Sequence, residues 1–275
     1  MSKPVNIFWF RRDLRLEDNA GLYHALCSDK PVQPVFIFDR NILDKLDDKS
    51  DRRVEYIHAA LEEIQEQLGK KGGSLRVYYD TAERAWRKIL SDYKVEKVFT
   101  NHDYEPYARD RDAAIEKLLI QQGASLHTYK DQVIFEKDEV IKDDGTPYTV
   151  FTPYSRKWKT VLINLFPSNK FLKNVNQQNV EPIPSLQSMG FRKVDKPFPF
   201  KQLKEDVVKK YSAQRDFPAI EGTTRMGVHL RFGTISIRQL AQKAMALNET
   251  YLNELVWRDF YHMILNRLFL DLYRR

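Results

Sequence analysis

The feature that most limits what this chain can fold into is an alternation of short apolar runs with amphipathic stretches from residue 6 to residue 129. The runs at 6–10, 35–38, 75–79, 95–100 and 125–129 have strand length and read as buried strands. Helical patterns fill the gaps. One is capped by Asp18 or Asn19 and runs through His24. A second spans 52–68 and is closed by Gly69 or by the Gly72-Gly73 pair. Thr81 opens a third that reaches about Leu90, and a fourth covers 107–122 and stops at Gly123. Strand and helix taking turns predict an α/β fold: a doubly wound parallel five-stranded sheet with helices on both faces, over residues 1–131.

Such sheets bind ligands at the carboxyl ends of their strands. The first strand-to-helix turn lacks GxGxxG and holds Arg11, Arg12, Asp13 and Arg15 instead. That disfavours a standard dinucleotide site. Salt bridges from these arginines to Asp and Glu are the simpler reading. The net charge of +7 favours polyanionic partners, nucleic acid first. Cys27 is the single cysteine, which excludes an internal disulfide and a Cys-based zinc site. The six histidines show no metal-ligand spacing such as HExxH, and His229 reads as a packing residue. No apolar run suits a membrane span and no signal peptide is evident, so the expectation is a soluble cytoplasmic protein.

Past the sheet, residues 133–148 alternate around Asp144-Gly145 and suggest a small hairpin or an extended arm. VFTPYSRKWKTVL returns to helical spacing. From 166 to 200 the text turns Pro- and Asn-rich and reads as a linker, so 132–200 is expected to join two domains. Residues 201–275 then read as the start of an all-α domain. In it, Gly222, Thr223, Thr224, Arg225 and Gly227 gather small and hydroxyl-bearing residues around one cation. The turn is either a plain helix cap or a cradle offering N–H groups and hydroxyls to a diphosphate. YLNELVWRDFYHMIL, at 251–265, has no Gly or Pro and separates into two helical faces. Leu252, Leu255, Val256, Met263 and much of Phe260 form a packing side. Glu254, Trp257, Arg258 and Tyr261 stack on the other. An acid, a flat ring, a fixed cation and a phenol could receive a nucleobase and a phosphate. The same set also suits a surface helix with an Arg–Glu pair and a half-buried Trp.

NELVWRDFY resembles the signature helix of the photolyase/cryptochrome family. FWFRRDLRLEDNAGL, YTVFTPYSRKW, YSAQRDFP and EGTTRMGVHLRFGTIS match that family in the same order. The likeness runs from the N-terminus to about Leu265 and is nearest the class I cyclobutane-pyrimidine-dimer photolyases. It implies light-driven repair of UV-damaged DNA by electron transfer from reduced FAD, a carbon–carbon lyase activity. It implies FAD contacts from Tyr211, Thr223, Thr224, Arg225, Met226 and Gly227, and DNA contacts from Arg215 and from Glu254, Leu255, Val256, Trp257, Arg258, Asp259, Phe260 and Tyr261. Within that set, Glu254 and Trp257 are the catalytic pair: Glu254 hydrogen-bonds the damaged pyrimidines, and Trp257 stacks on them once they are flipped out. The N-terminal domain becomes an antenna domain, with a folate or deazaflavin as second chromophore.

The chain departs from the family pattern in three places. Ala108 stands where folate-bearing relatives have a second carboxylate. Thr224 and Gly227 stand where Ser is common. Members of the family continue for roughly 200 residues past the signature helix, the scale of one more domain. The FAD-binding domain is therefore expected to be incomplete, its remainder missing or supplied by a partner chain. Beside the repair enzyme, a cryptochrome-like light sensor and a non-functional remnant remain as alternatives; otherwise the protein is expected to be a monomer.

Overall fold

The computed structural model describes residues 4–137, 139–161, 163–194 and 196–272, with side chains as far as residue 266. The chain divides into two compact units. Unit 1 holds the residues up to Asp131 with Phe166–Phe198 and Phe232–Thr234. Unit 2 holds Gln132–Leu165, Pro199–Arg231 and the chain from Ile235 onward.

Unit 1 is a five-stranded parallel sheet: β1 (Val5–Phe10), β2 (Val32–Asp39), β3 (Arg76–Asp80), β4 (Val95–Asn101) and β5 (Ser125–Tyr129). The strand order is β3-β2-β1-β4-β5. Between the strands run α1 (Ala20–Leu26), α2 (Arg40–Leu43), α3 (Arg52–Gly69), α4 (Ala82–Asp92) and α5 (Pro106–Gln121). Every residue of β1 is buried, as a central strand covered on both faces requires. Asn19 caps α1 by accepting from the Leu22 N–H, and Thr81 caps α4 through the Arg84 N–H. β2 starts three residues before the expected position and includes Pro34. Its partner β3 pairs only from Val35 onward, so the N–H that proline lacks is not missed on that side.

The expected linker is divided between the units. Residues 166–198 pack onto unit 1 although they show no hydrophobic period. Val175 is buried beside Val32, the Asn176 N–H donates to the Val32 carbonyl at 2.7 Å, and Met189 and Phe191 are buried. Hydrogen bonds hold this stretch, and they leave no periodic trace in a sequence.

Unit 2 contains α6 (Phe151–Trp158), α7 (Glu205–Lys209), α8 (Tyr211–Gln214), all but the last residue of α9 (Gly227–Phe232), α10 (Ile237–Leu247) and α11 (Glu249–Leu272). Its core gathers Ile134, Phe135, Tyr154, Trp158, Leu240 and Val256, among others. The expected hairpin is a tight turn at 142–146, with Gly145 at φ +77° and Asp144 accepting from the Thr146 N–H. Ahead of Pro218 the chain forms two short helical pieces, α7 and α8.

Candidate functional site

α11 carries most of the expected site residues, and its period decides which of them face out. Leu252, Leu255, Val256, Phe260 and Met263 are buried in the core of unit 2. Glu254, Trp257 and Arg258 are partly exposed and Tyr261 is exposed. The two faces separate as a 3.6-residue period demands. A run of residues from 254 to 261 winds through more than two turns, so it cannot present all its side chains to one ligand. Leu255, Val256, Asp259 and Phe260, expected to contact DNA, are at most 4% exposed. They hold the helix in place and do not offer a contact surface. Met226, expected at the cofactor, is likewise a core residue, which leaves only its backbone to face a ligand.

On the outward face, the Trp257 indole lies on the Phe151 ring, centroids 3.7 Å apart and planes 4° from parallel. The Tyr261 ring lies 5.3 Å from the indole at 24°. Phe151 belongs to the YTVFTPYSRKW motif, and no spacing in the sequence pairs it with Trp257. Glu254 is ion-paired with Arg215, whose guanidinium also lies 5.8 Å from the Tyr211 ring centroid. Tyr211 meets Tyr251 edge-on at 5.1 Å, and the Tyr251 hydroxyl is 3.0 Å from Thr224 Oγ1. A continuous series of contacts therefore joins the 223–227 turn to Glu254, one turn before Trp257 on α11. Tyr251 is the member that sequence reasoning missed, although it sits one turn before Glu254. Burial raises its hydroxyl pKa and the bond to Thr224 lowers it, so the phenol stays protonated.

The turn itself is tightly built. A Cβ on Gly222 would come within 2.6 Å of the Gln214 carbonyl oxygen, so only glycine permits this approach to the end of α8. Arg225 is left-handed at φ 55°, and its guanidinium is 3.2 Å from Glu221. A left-handed residue costs energy and turns neighbouring N–H groups towards one side, the arrangement that suits an anion. Thr223, Arg225 and Gly227 are exposed, and a Cβ on Gly227 would meet nothing within 4 Å. Two hydroxyls, one guanidinium and open space beside Gly227 fit a diphosphate.

Beneath the outward face, Asp259 is buried and accepts from the Ile134 N–H, the Phe135 N–H and Trp158 Nε1 at 3.1, 3.1 and 3.0 Å. Burial pushes its carboxyl up to about 6, against the pull of Arg258 and of these hydrogen bonds. In unit 1 the first-turn arginines are engaged as the salt-bridge reading expects. Arg11 pairs with Asp112, Arg12 with Asp103 and Glu105, and Arg15 with Asp131. Asp13 accepts from the Arg11 N–H and from Asn101, while Ala108 is buried. His229 is fully buried. Among the described residues no group of three or more His, Cys, Asp or Glu could hold a metal ion, and no helix is long and apolar enough to cross a membrane.

Residues 6–171 match the family model described as DNA photolyase. The deoxyribodipyrimidine photo-lyase of a Synechococcus strain is 30% identical over 95% of this chain and 60% of its own length. An uncharacterised 31.6 kDa protein of Synechococcus sp. PCC 6716 is 30% identical over 94% of this chain and 100% of its own length. A crystal structure of an archaeal photolyase from Sulfolobus tokodaii with two FAD molecules superposes with a TM-score of 0.75. It is 27% identical, over 96% of this chain and 60% of that one. The chain thus spans about three-fifths of the photolyases it resembles.

Proposed function

The chain belongs to the DNA photolyase family, and on that premise we propose that it acts in light-driven repair of UV-damaged DNA, splitting cyclobutane pyrimidine dimers. The observation that carries this reading is the contact series from Thr224 through Tyr251, Tyr211 and Arg215 to Glu254, with Trp257 one turn further along α11. It links a turn suited to a diphosphate with a face suited to a damaged base. The FAD that this turn would hold, in its reduced form, supplies the light-driven electron transfer.

In this reading Thr223, Thr224, Arg225 and the backbone of Met226 and Gly227 hold the diphosphate, with Tyr211 alongside. Arg215 and Arg258 meet phosphates. Trp257 and Tyr261 stack on the extruded pyrimidine pair, whose poor pairing makes extrusion cheaper than for an intact base. Glu254 hydrogen-bonds the edge of the pyrimidine pair and fixes its orientation. Polypeptide corresponding to the remaining two-fifths of the longer relatives would complete the cofactor pocket. A second chromophore, folate or deazaflavin, would belong to the sheet unit. The setting proposed is the cytoplasm.

The test is reconstitution of the full chain with FAD, followed by blue light on an oligonucleotide carrying one thymine dimer. Restored thymines support the proposal. A chain that takes up no flavin, judged by absorbance near about 450 nm, and that binds the dimer no better than intact DNA overturns it. Flavin uptake without dimer binding in the dark would instead favour a light sensor, which needs no face for a lesion.

A further inference from the structure

Three observations meet behind Trp257. First, two consecutive residues of α11 grip the segment that enters unit 2. Arg258 donates to the Gln132 carbonyl, and Asp259 accepts from the N–H groups of Ile134 and Phe135. Second, the same carboxylate accepts from Trp158 Nε1, at the last residue of α6. Third, Phe151, the first residue of α6, stacks on Trp257. Phe151 and Trp158 are seven residues apart, so they lie on one face of the helix. Tyr154, between them, packs against Phe260 at 5.0 Å. Both ends of that face are therefore fixed to α11, one by a buried hydrogen bond and one by ring stacking.

A buried carboxylate is a costly way to join two helices, and apolar residues of similar volume often do so with more stability. What it adds is direction. Three donors converge on one side chain, and they leave α6 one seat along α11. An apolar contact would let the two helices slide.

We propose that Asp259 is a positioning residue for the indole of Trp257: by holding Trp158 and the 134–135 backbone, it seats α6 so that Phe151 backs the ring and sets its plane. This rests on the reading of Trp257 as a stacking surface for a damaged base. Asp259 touches neither the base nor the cofactor. It acts through α6.

The experiment uses the full chain and the variants Asp259→Asn, Asp259→Leu and Phe151→Leu. The near-UV circular dichroism of Trp257 is isolated by subtracting the spectrum of each variant with Trp257→Phe added. Affinities are measured in the dark for one oligonucleotide with and without a thymine dimer. Asparagine keeps an acceptor at the junction and leucine does not. Asp259→Leu should lose the Trp257 signal and lower the preference for the dimer about tenfold, the scale of one stacked base. Binding to the intact oligonucleotide and the far-UV spectrum should stay as in the parent, and Asp259→Asn should restore most of both lost properties. A folded Asp259→Leu protein with the parent's Trp257 signal and dimer preference overturns the proposal. Should Asp259→Leu not fold, Phe151→Leu decides: it leaves the carboxylate in place, and an unchanged Trp257 signal and preference overturn the proposal equally. A parent chain with no preference for the dimer refutes the stacking function instead, and the dichroism alone then decides the positioning role.

Discussion

The indole of Trp257 and the ring of Phe151 lie 3.7 Å apart and within 4° of parallel. The indole is therefore held flat by the chain's own packing. Replacing Trp257 by alanine removes a preset stacking surface from a partly exposed position. Dimer affinity should fall by about 1–3 kcal/mol, the worth of one base–aromatic stack, while the far-UV spectrum is unchanged. A fluorescence titration with dimer-containing and intact oligonucleotides measures the loss, and far-UV circular dichroism checks the fold.

Asp259 should give unit 2 a pH-dependent stability. Its carboxyl lies at about 6 in the folded protein, chiefly through burial, against an ordinary 3.8. Between these values the native chain holds a proton that the unfolded chain has released. Stability therefore falls as pH rises from about 4 to about 6 and levels off above, by roughly 3 kcal/mol. Arg258 is the charged neighbour that limits the rise. Chemical denaturation across pH 4 to 7 on the scale of these pKa values should show the slope, and Asp259→Asn should flatten it.

Two glycines of the 222–227 turn should answer substitution in opposite ways. Gly222→Ala places a methyl 2.6 Å from a backbone oxygen and should cost more than about 2 kcal/mol. Gly227→Ser projects into open space and should change stability by less than about 0.5 kcal/mol. Thermal unfolding of the two variants side by side tests the geometry of the turn. Equal losses would contradict it.

Arg215 is paired with Glu254. If a phosphate takes over the guanidinium, Arg215→Ala should lower the affinity for damaged and intact DNA alike. It should also reduce the log–log salt slope of binding by about 0.9, the share of one phosphate. An unchanged slope would leave Arg215 as a partner of Glu254 alone.

The sequence determined the sheet almost by itself. Val5–Phe10 is buried along its whole length and could only be a central strand. Asn19 and Thr81 announced the starts of α1 and α4 through local hydrogen bonds that need no distant partner. The outward placing of Glu254, Trp257 and Tyr261 was also legible, because a helix fixes its faces by periodicity. Tertiary structure decided what periodicity does not encode. Residues 166–198 lie on the sheet unit through backbone hydrogen bonds such as Asn176 to Val32. Phe151 reaches Trp257, and Trp158 reaches Asp259, across about a hundred residues of chain. Asp259 and Phe260 follow the exposed pair in the text yet turn inward in space. A string of residue types records neighbours along the chain, whereas a site is made by neighbours across it, and only packing brings those together.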